Sequence, residues 1–262
     1  MHLSKSRIVL SGASGGIGQC VAAALLARGA SVTTISRSRS NSAGAQHVAA
    51  DLSSPAGIAS AVRYLEGQEI DILINLAGVQ YFGRAEEQAY DDVGATYAVN
   101  LIAPVQLARA ALPGMKRRGA GQIVNIGSIL GSIGLAYFAT YSSSKAGLRI
   151  FSEALRRELA GTGIAVTYIA PRAARTGLMT RKLAQYAELT GMAIDEPSRV
   201  ANRIVDAVVR HESDVYIGAA ERIFVKLNGA LPRLVDLFQA SNDRKAKALF
   251  SSQNLSNGGS AS

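Results

Sequence analysis

The sequence predicts an α/β fold in which one doubly wound parallel sheet of about seven strands carries helices on both faces. Short apolar runs alternate with helical patterns along most of the 262 residues, as expected for strands joined by right-handed helical crossovers. A hydrophobic fraction of 48% with 26 glycines suits strands that are buried on both faces. No shift in composition separates the chain into two independent domains.

Seven apolar runs are predicted as strands, and most are bounded by glycine, serine or asparagine. They cover residues 8–10, 31–35, 47–51, 71–75, 121–126, 164–169 and 214–217. Helical spacing predicts helices over residues 20–26, 90–109, 113–118 and 141–159. A further helix begins at Ser54 and Pro55, because serine caps a helix and proline suits its first turn.

Charge and cysteine content narrow the function classes. The net charge is +9, but the basic residues are scattered and lack the interleaved aromatic residues of a nucleic-acid stacking platform. We therefore expect no nucleic-acid partner and favour an enzyme that binds an anionic cofactor. Cys20 is the one cysteine, which excludes an internal disulfide and fits a reducing compartment. Residues 1–7 lack a signal-peptide core, so we expect a cytoplasmic protein.

A glycine-rich turn, Gly12-Ala-Ser-Gly-Gly16-Ile-Gly18, joins the first predicted strand to the first helix. Such a turn lets the backbone approach a pyrophosphate, which the N–H groups and dipole of the helix N-terminus then bind. Any tight strand–helix turn favours glycine, so the spacing alone is weak evidence for a dinucleotide site. Its position at the first strand–helix junction makes a dinucleotide site the better interpretation.

The end of the second strand indicates which dinucleotide is preferred. No Asp or Glu precedes Asp51, whereas an NAD site normally offers a carboxylate to the ribose 2′-hydroxyl. Arg37 and Arg39 follow the strand instead, and guanidinium groups bind a 2′-phosphate through charge-assisted hydrogen bonds. We predict NADP(H), the alternative being that both arginines are idle surface residues. Asp51 fits two roles equally, contact with the adenine amino group or partner of the next helix N-terminus.

Tyr141 and Lys145 lie four residues apart and therefore on one face of a helix. A free phenol has a pKa of about 10 and is a poor base, but a nearby ammonium and a cationic nicotinamide favour the phenolate. Ser128, thirteen residues before Tyr141, would add a hydrogen bond to the reacting oxygen. These features indicate hydride transfer. The three histidines fit no triad or metal spacing, so we predict no metal site.

Over about residues 5–220 these motifs, in order and at matching spacings, resemble the short-chain dehydrogenase/reductase family. They are Ser11-Gly12-Ala-Ser-Gly-Gly16-Ile-Gly18, Asp51-Leu52, Asn75-Leu-Ala-Gly78, Asn100, Ser128 and Tyr141-x-x-x-Lys145. The resemblance implies a Rossmann-type dinucleotide-binding and catalytic domain, which we place at residues 1–220. Residues 221–255 would extend it with helices, and residues 256–262 would form a disordered tail.

The resemblance also implies a role for each site residue. Tyr141 would be the general acid or base, Lys145 would lower its pKa and bind the nicotinamide ribose, and Ser128 would orient the substrate carbonyl. Asn100 would hold a water in the proton relay, with a backbone-bonding helix residue as the alternative. The implied cofactor-binding residues are Gly12, Ser14, Gly16, Ile17, Gly18, Arg37, Arg39, Asp51, Leu52, Asn75, Ala77, Gly78, Tyr141, Lys145, Pro171 and Thr176.

One departure from the family follows the sixth strand. The family commonly has glycine after the proline at Pro171, and this chain has Arg172. Thr176 matches the position that bonds the nicotinamide carboxamide. Arg172 or Arg175 is a candidate contact for an anionic substrate or for the cofactor pyrophosphate.

The residues expected to face the substrate are mostly apolar, which favours a hydrophobic ketone, aldehyde or secondary alcohol over a sugar. They are Gln80, Tyr81, Phe82, Ile129, Leu130, Ile133, Leu135, Tyr137, Phe138, Leu178 and Met179. Residues 176–197 are predicted to form a mobile lid.

Residues 221–238 combine apolar residues at mixed helical spacing with basic residues. An amphipathic basic helix fits an anionic membrane, a partner subunit or a cover over the substrate cleft. We favour packing over peripheral membrane contact through residues 221–250, because Pro232 interrupts the helix.

The leading hypothesis is an NADP(H)-dependent carbonyl reductase or alcohol dehydrogenase. One alternative is a 3-oxoacyl thioester reductase, although the Asp-Gly-Gly ending of that group is missing. Another is a catalytically silent NADP(H)-binding scaffold, against which the intact Ser128, Tyr141 and Lys145 argue. The resemblance further implies a homodimer or homotetramer formed through the helices near residues 90–109 and 141–159.

Overall fold

The computed structural model describes residues 3–39 and 43–251 and contains a seven-stranded sheet in the order 3-2-1-4-5-6-7. All neighbouring strands are parallel. The strands are β1 (Arg7–Ser11), β2 (Ser31–Ser36), β3 (Gln46–Ala49), β4 (Ile72–Asn75), β5 (Gly121–Ile126), β6 (Ile164–Ala170) and β7 (Asp214–Tyr216). The predicted doubly wound fold and its seven strands are confirmed. The predicted tail, residues 256–262, lies outside the described residues.

Helices flank the sheet on both faces. They are α1 (Gly16–Leu26), α2 (Pro55–Glu66), α3 (Tyr90–Tyr97), α4 (Ala103–Arg118), α5 (Ala139–Glu158), α6 (Arg181–Thr190), α7 (Pro197–Arg210), α8 (Ala219–Ala230) and α9 (Pro232–Ser251). A π-helical segment, Ala98–Ile102, joins α3 to α4. The predicted start of α2 is confirmed, because the hydroxyl of Ser54 accepts from the N–H of Gly57 at 3.1 Å.

The predicted break between two helices near residue 113 is wrong. Helix α4 continues through Pro113 to Arg118, although an internal proline removes one backbone hydrogen bond. Leu107, Ala111 and Met115 are buried on one face of this helix. Their packing against the sheet outweighs the local preference of proline.

Alternate residues of each central strand enter opposite layers of the core. Ile8 and Leu10 of β1 pack with α1 and α7, whereas Val9 between them packs with α2 and α4. This alternation follows from the two-residue period of a strand. The carboxyl ends of β1 and β4, where the strand order reverses, therefore lie between two rigid helical layers.

The C-terminal extension packs onto the domain as two helices, and Pro232 separates them as the sequence predicts. Val235, Ala246 and Phe250 of α9 are buried. Helix α9 contacts α6, which lies inside the predicted lid. The extension therefore forms part of the wall beside the lid.

Two helix glycines differ in the space around them and allow a matched test of this packing. A Cβ at Gly57 in α2 would lie 2.0 Å from the backbone oxygen of Asp51, whereas one at Gly94 in α3 would meet nothing within 4 Å. Gly57→Ala should lower the free energy of unfolding in urea by about 1–3 kcal/mol through overpacking. Gly94→Ala should raise it by up to about 1 kcal/mol, because alanine favours helix over glycine. Equal effects of the two substitutions would contradict the packing of α2 described above.

Candidate active site

A cavity of about 840 Å³ lies at the carboxyl ends of the central strands, the usual ligand position in a doubly wound sheet. Most of the residues that the sequence predicts for the site line it. They are Gly12, Ser14, Gly16, Ile17, Gly18, Arg37, Asp51, Leu52, Ala77, Gly78, Ser128, Tyr141, Lys145, Pro171 and Thr176. Three predicted site residues, Arg39, Asn75 and Asn100, are not among the residues lining this cavity.

The glycine turn forms a tight cradle at one end of the cavity. Gly12 has a φ of +78°, and a Cβ there would lie 2.5 Å from the backbone of Ala77. A Cβ at Gly18 would lie 2.2 Å from the oxygen of Gly12, and one at Gly16 would lie 3.3 Å from the methyl of Thr176. Helix α1 begins here without an acidic residue in its first turn. These features fit the pyrophosphate of a dinucleotide, which approaches bare backbone and free N–H groups.

Only one of the two predicted cofactor-binding arginines lies at the predicted adenosine end of the cavity. Arg37 lines the cavity, whereas Arg39 is exposed outside it. Asp51 also lines the cavity, and its carboxylate accepts from the N–H of Ser53 at 3.0 Å and from its hydroxyl at 2.7 Å. These bonds and the charge of Arg37 hold the pKa of Asp51 below its usual range. Asp51 thus stabilises the turn before α2, and its position remains open to the adenine contact.

Ser128 and Tyr141 meet in the middle of the cavity, and both are almost fully buried. Burial raises the pKa of the Tyr141 phenol, and a hydrogen bond from Ser128 opposes that rise. The hydroxyl oxygen of Ser128 accepts from the N–H of Leu130 at 3.1 Å, so its proton is directed elsewhere. Ser128 is thus positioned to donate to an oxygen that also faces Tyr141.

Lys145 is buried one helical turn after Tyr141, with 4% of its surface exposed. Its ammonium donates to the backbone oxygen of Ile126 at 3.0 Å. Burial lowers its pKa to about 8, because a low-dielectric surrounding disfavours the charged form. The sequence suggested that this ammonium lowers the pKa of Tyr141, but in the structure burial dominates and raises it.

Asn100 lies in the π-helical segment and positions backbone. Its oxygen accepts from the N–H of Val79 at 2.9 Å, and its amide donates to the oxygen of Val79 at 2.9 Å. The same amide donates to Ser144 at 3.0 Å, whose hydroxyl donates to the backbone oxygen of Tyr141 at 2.7 Å. The side chain thus connects the loop after β4 to α5. Its implied role in a proton relay stays a prediction.

A buried polar row across three strands was missed from the sequence. Ser11, Asn75 and Asn125 are neighbours in the register of β1, β4 and β5. Asn75 donates to Asn125 at 2.8 Å, and Asn125 donates to Ser152 of α5 at 2.8 Å. The hydroxyl of Ser11 accepts from the N–H groups of residues 76 and 77. Asn75 therefore holds the strand ends together and supports the cofactor site from behind.

The predicted substrate wall is present in part. Eight of its residues line the cavity, namely Gln80, Ile129, Leu130, Ile133, Leu135, Phe138, Leu178 and Met179. Tyr81, Phe82 and Tyr137 are not among the lining residues, so those expectations were wrong. The ring of Tyr137 stacks on Phe250 of α9 at 4.3 Å between centroids, which removes it from the cleft.

Arg172 bonds to protein carboxylates on two segments. It forms two hydrogen bonds of 2.9 Å with the buried carboxylate of Asp195, and it contacts Glu221 of α8 at 3.2 Å. The pKa of Asp195 is lowered, first by its hydrogen bond with Arg172. Arg175 pairs with Glu196 at 3.0 Å. The structure thus gives both arginines partners other than an anionic substrate, and Arg172 ties the end of the predicted lid to the extension.

The extension supplies cavity residues that were not assigned from the sequence. Phe224 of α8 and Gln239 and Asn242 of α9 line the cavity, and Asn242 donates to Gln239 at 3.1 Å. The periodicity of residues 221–238 indicated a packed helix, but pattern alone gives no partner for that helix. The extension is therefore one wall of the substrate end.

The fold and this cavity define an oxidoreductase that uses a nicotinamide dinucleotide. A family model described as short chain dehydrogenase matches residues 6–187. The chain belongs to the short-chain dehydrogenase/reductase family, whose members are NAD(P)-dependent and act on CH–OH and C=O groups.

The chain is similar to characterised proteins over most of its length. It is 33% identical over 229 residues to the ketoacyl reductase HetN of Nostoc sp., with coverage of 82% of this chain and 79% of HetN. It is 30% identical to dehydrogenase/reductase SDR family member 7B of Rattus norvegicus in an alignment that covers 94% of this chain and 84% of that protein. A short-chain dehydrogenase from Sphingobium yanoikuyae in complex with NADPH superposes with a TM-score of 0.73 at 26% identity, with coverage of 88% of this chain and 95% of that one.

The described part of the chain lacks two kinds of feature, a membrane-spanning helix and a metal-binding group. No helix there combines the length and apolarity needed to cross a membrane. No group of three or more His, Cys, Asp or Glu side chains there has the arrangement to hold a metal ion.

The burial of Lys145 predicts a pH dependence of stability. Its pKa falls from 10.5 to about 8 on folding, so the unfolded chain binds more protons between these values and stability rises with pH. Below pH 8 the buried amine is charged in the folded protein, and its burial lowers the free energy of unfolding by the largest amount. Above pH 8 the amine loses its proton, so this cost decreases. Relative to Lys145→Met, the unmodified protein should gain about 2 kcal/mol in free energy of unfolding from pH 8 to pH 10.

Urea titrations of both proteins across this range measure the difference. Lys116→Met, which changes an exposed lysine, is the control and should follow the unmodified protein. A constant difference between the unmodified protein and Lys145→Met would show that the amine is not buried.

Proposed function

We propose that this protein is an NADP(H)-dependent oxidoreductase that interconverts a hydrophobic ketone or aldehyde and the corresponding alcohol. The observation that carries the proposal is the shared position of Ser128, Tyr141 and Lys145 in the cavity that begins at the glycine cradle. A protein that only binds a dinucleotide needs the cradle but has no use for a proton donor at Tyr141 with the hydroxyl of Ser128 beside it.

The geometry supports a division of roles in the reducing direction. The carbonyl carbon would receive a hydride from reduced cofactor held at the glycine cradle. Tyr141 donates its proton to the carbonyl oxygen, so the product is an alcohol and Tyr141 is left as phenolate. Ser128 donates a hydrogen bond to the same oxygen, and Lys145, with a pKa of about 8, is mainly cationic at neutral pH. That cation stabilises the phenolate across one helical turn until a solvent proton restores the phenol.

The preference for NADP(H) rests on the end of β2. Arg37 lines the cavity beside Asp51, and it offers a guanidinium group where an NAD site offers a carboxylate. Asp51 does not fill that carboxylate role, because it follows β3 and is bonded to Ser53. Similar solved structures hold NADPH or NADP in some cases and NAD in another, so the preference depends on Arg37.

The substrate end favours an apolar molecule with one polar group. Ile133, Leu135 and Phe224 supply apolar wall, and Gln239 with Asn242 supply amides. The second candidate is reduction of a 3-oxoacyl thioester, which the similarity to a ketoacyl reductase favours. Assays of NADPH oxidation with hydrophobic ketones, aldehydes and 3-oxoacyl thioesters distinguish the two candidates.

A homodimer or homotetramer remains part of the proposal. Ile102, the last residue of the π-helical segment, and Ile150, on α5, expose about half of their surface. These positions belong to the helices through which the sequence resemblance implies assembly. An apolar side chain at each position suits contact with another copy.

Replacement of Tyr141 tests catalysis directly. Tyr141→Phe should lower kcat by about 10²–10⁴-fold, because it removes the proton donor, and it should leave the Kd for NADPH within about twofold, since no charge changes. Stopped-flow turnover and fluorescence titration measure the two quantities. Tyr137→Phe is the matched control, because this ring packs on Phe250, and it should retain turnover. Undiminished turnover by Tyr141→Phe would show that this phenol is not the proton donor, and absence of turnover from the unmodified protein on every substrate class would favour the scaffold interpretation.

Replacement of the two arginines tests the cofactor preference. Arg37→Ala should lower kcat/KM for NADPH by about tenfold to a hundredfold, the worth of hydrogen bonds to a charged group, with little change for NADH. Arg39→Ala should have a smaller effect, because Arg39 lies outside the cavity. Steady-state kinetics with each cofactor measures this. A protein that prefers NADH before any substitution would refute the NADP(H) proposal.

A further inference from the structure

The junction of α8 and α9 in the C-terminal extension exposes an unusual concentration of apolar side chains. Ten large apolar residues are strongly exposed in the described part of the chain, and five of them lie between residues 223 and 238. These five are Ile223, Leu231, Leu234, Leu237 and Phe238, exposed by 39–74%. We call residues 222–238 the α8–α9 tip. Such a concentration marks an interaction surface more often than chance exposure.

Three of the apolar residues of the tip share a face of α9. Leu234, Leu237 and Phe238 recur at helical spacing within its first two turns, whereas Val235, at the edge of this face, is 2% exposed. The apolar stripe therefore points away from the body of the protein. A helix that needed only intramolecular packing would bury this stripe.

Exposed basic residues outnumber acidic ones in the tip. Between residues 222 and 238 the chain has Arg222, Lys226 and Arg233 against one acidic residue, Asp236. All four side chains are exposed, and Glu221, just before the tip, is paired with Arg172. Apolar side chains with a basic rim complement an anionic lipid surface, which takes up both kinds of group.

The tip is held firmly and adjoins the cavity. Asn228 donates to the backbone oxygen of Ser132 at 2.9 Å, which anchors α8 on the domain. Phe238 of the tip packs edge-on against Phe224 at 6.4 Å between centroids, and Phe224 lines the cavity. The exposed face is thus continuous with the apolar wall of the substrate end.

We propose that the α8–α9 tip docks on anionic membrane surfaces, with its apolar side chains at the headgroup boundary and its basic side chains on the lipid phosphates and carboxylates. This contact is peripheral and does not need a membrane-spanning segment. It places the substrate end of the cavity next to the bilayer, from which an apolar substrate enters past Phe224. A second copy of the chain is the competing occupant of the same face.

Vesicle flotation of the full-length protein tests the proposal without any substrate, so its result is independent of the proposed reaction. We expect binding to vesicles of phosphatidylcholine with phosphatidylserine, weaker binding to phosphatidylcholine alone, and loss of the difference at high salt. Burial of one leucine or phenylalanine side chain strengthens binding about tenfold. The double variant Leu237→Glu/Phe238→Glu should therefore bind anionic vesicles about a hundredfold more weakly. Each basic residue is worth about fivefold on an anionic surface, so Arg222→Gln/Lys226→Gln/Arg233→Gln should lose about a hundredfold there and little on phosphatidylcholine.

Leu189→Glu is the matched control, because Leu189 is an exposed apolar residue outside both the tip and the helices of the proposed assembly, and its binding should be unchanged. Thermal unfolding of every variant establishes that it is folded. Absence of binding to anionic vesicles, or equal binding by the tip variants, would overturn the proposal. Light scattering that shows an oligomer broken by Leu237→Glu/Phe238→Glu, without vesicle binding, would assign the face to a second copy instead.

Discussion

The buried ammonium of Lys145 is the interaction on which the arrangement of the site depends. A charge with 4% of its surface exposed is costly unless it has a partner, and the backbone oxygen of Ile126 provides one at 3.0 Å. This bond joins α5 to the end of β5, two residues before Ser128. The same helix carries Tyr141, so this contact helps to fix the relative position of all three side chains.

The second constraint is the contact between the domain and its extension. Arg172 stands where the family commonly has glycine, and it connects Asp195, after α6, to Glu221 at the start of α8. Helix α9 then packs on α6, and Phe250 reaches the rings of Phe82 and Tyr137. The substrate end is therefore assembled from segments that are distant in sequence, and its shape depends on ion pairs as well as on apolar packing.

Local patterns predicted the strands well and some helices less well. The five central strands are short, mostly buried runs that can be recognised without knowing their neighbours, whereas the edge strands β3 and β7 are only partly buried. Helix α4 was divided at Pro113, because the local cost of proline is visible in sequence and the burial of Leu107 and Met115 on one face is not. Tyr137 was placed in the cleft because it is close to Tyr141 in sequence. Its backbone φ of +68° and its stacking on Phe250 turn it away, and neither is visible in a sequence pattern.

The sequence by itself determined the sheet, the glycine turn and the candidate set Ser128, Tyr141 and Lys145, because periodicity and close spacing act over a few residues. Tertiary structure decided which residues line the cavity, since that depends on contacts across the chain. It separated Arg37 from Arg39, put Asn75 behind the sheet edge in a bond with Asn125, and brought Gln239 and Asn242 to the substrate end. It also divided the extension into a buried face and an exposed one, because a helix shows an apolar stripe in its sequence but acquires a neighbour only when the chain has folded.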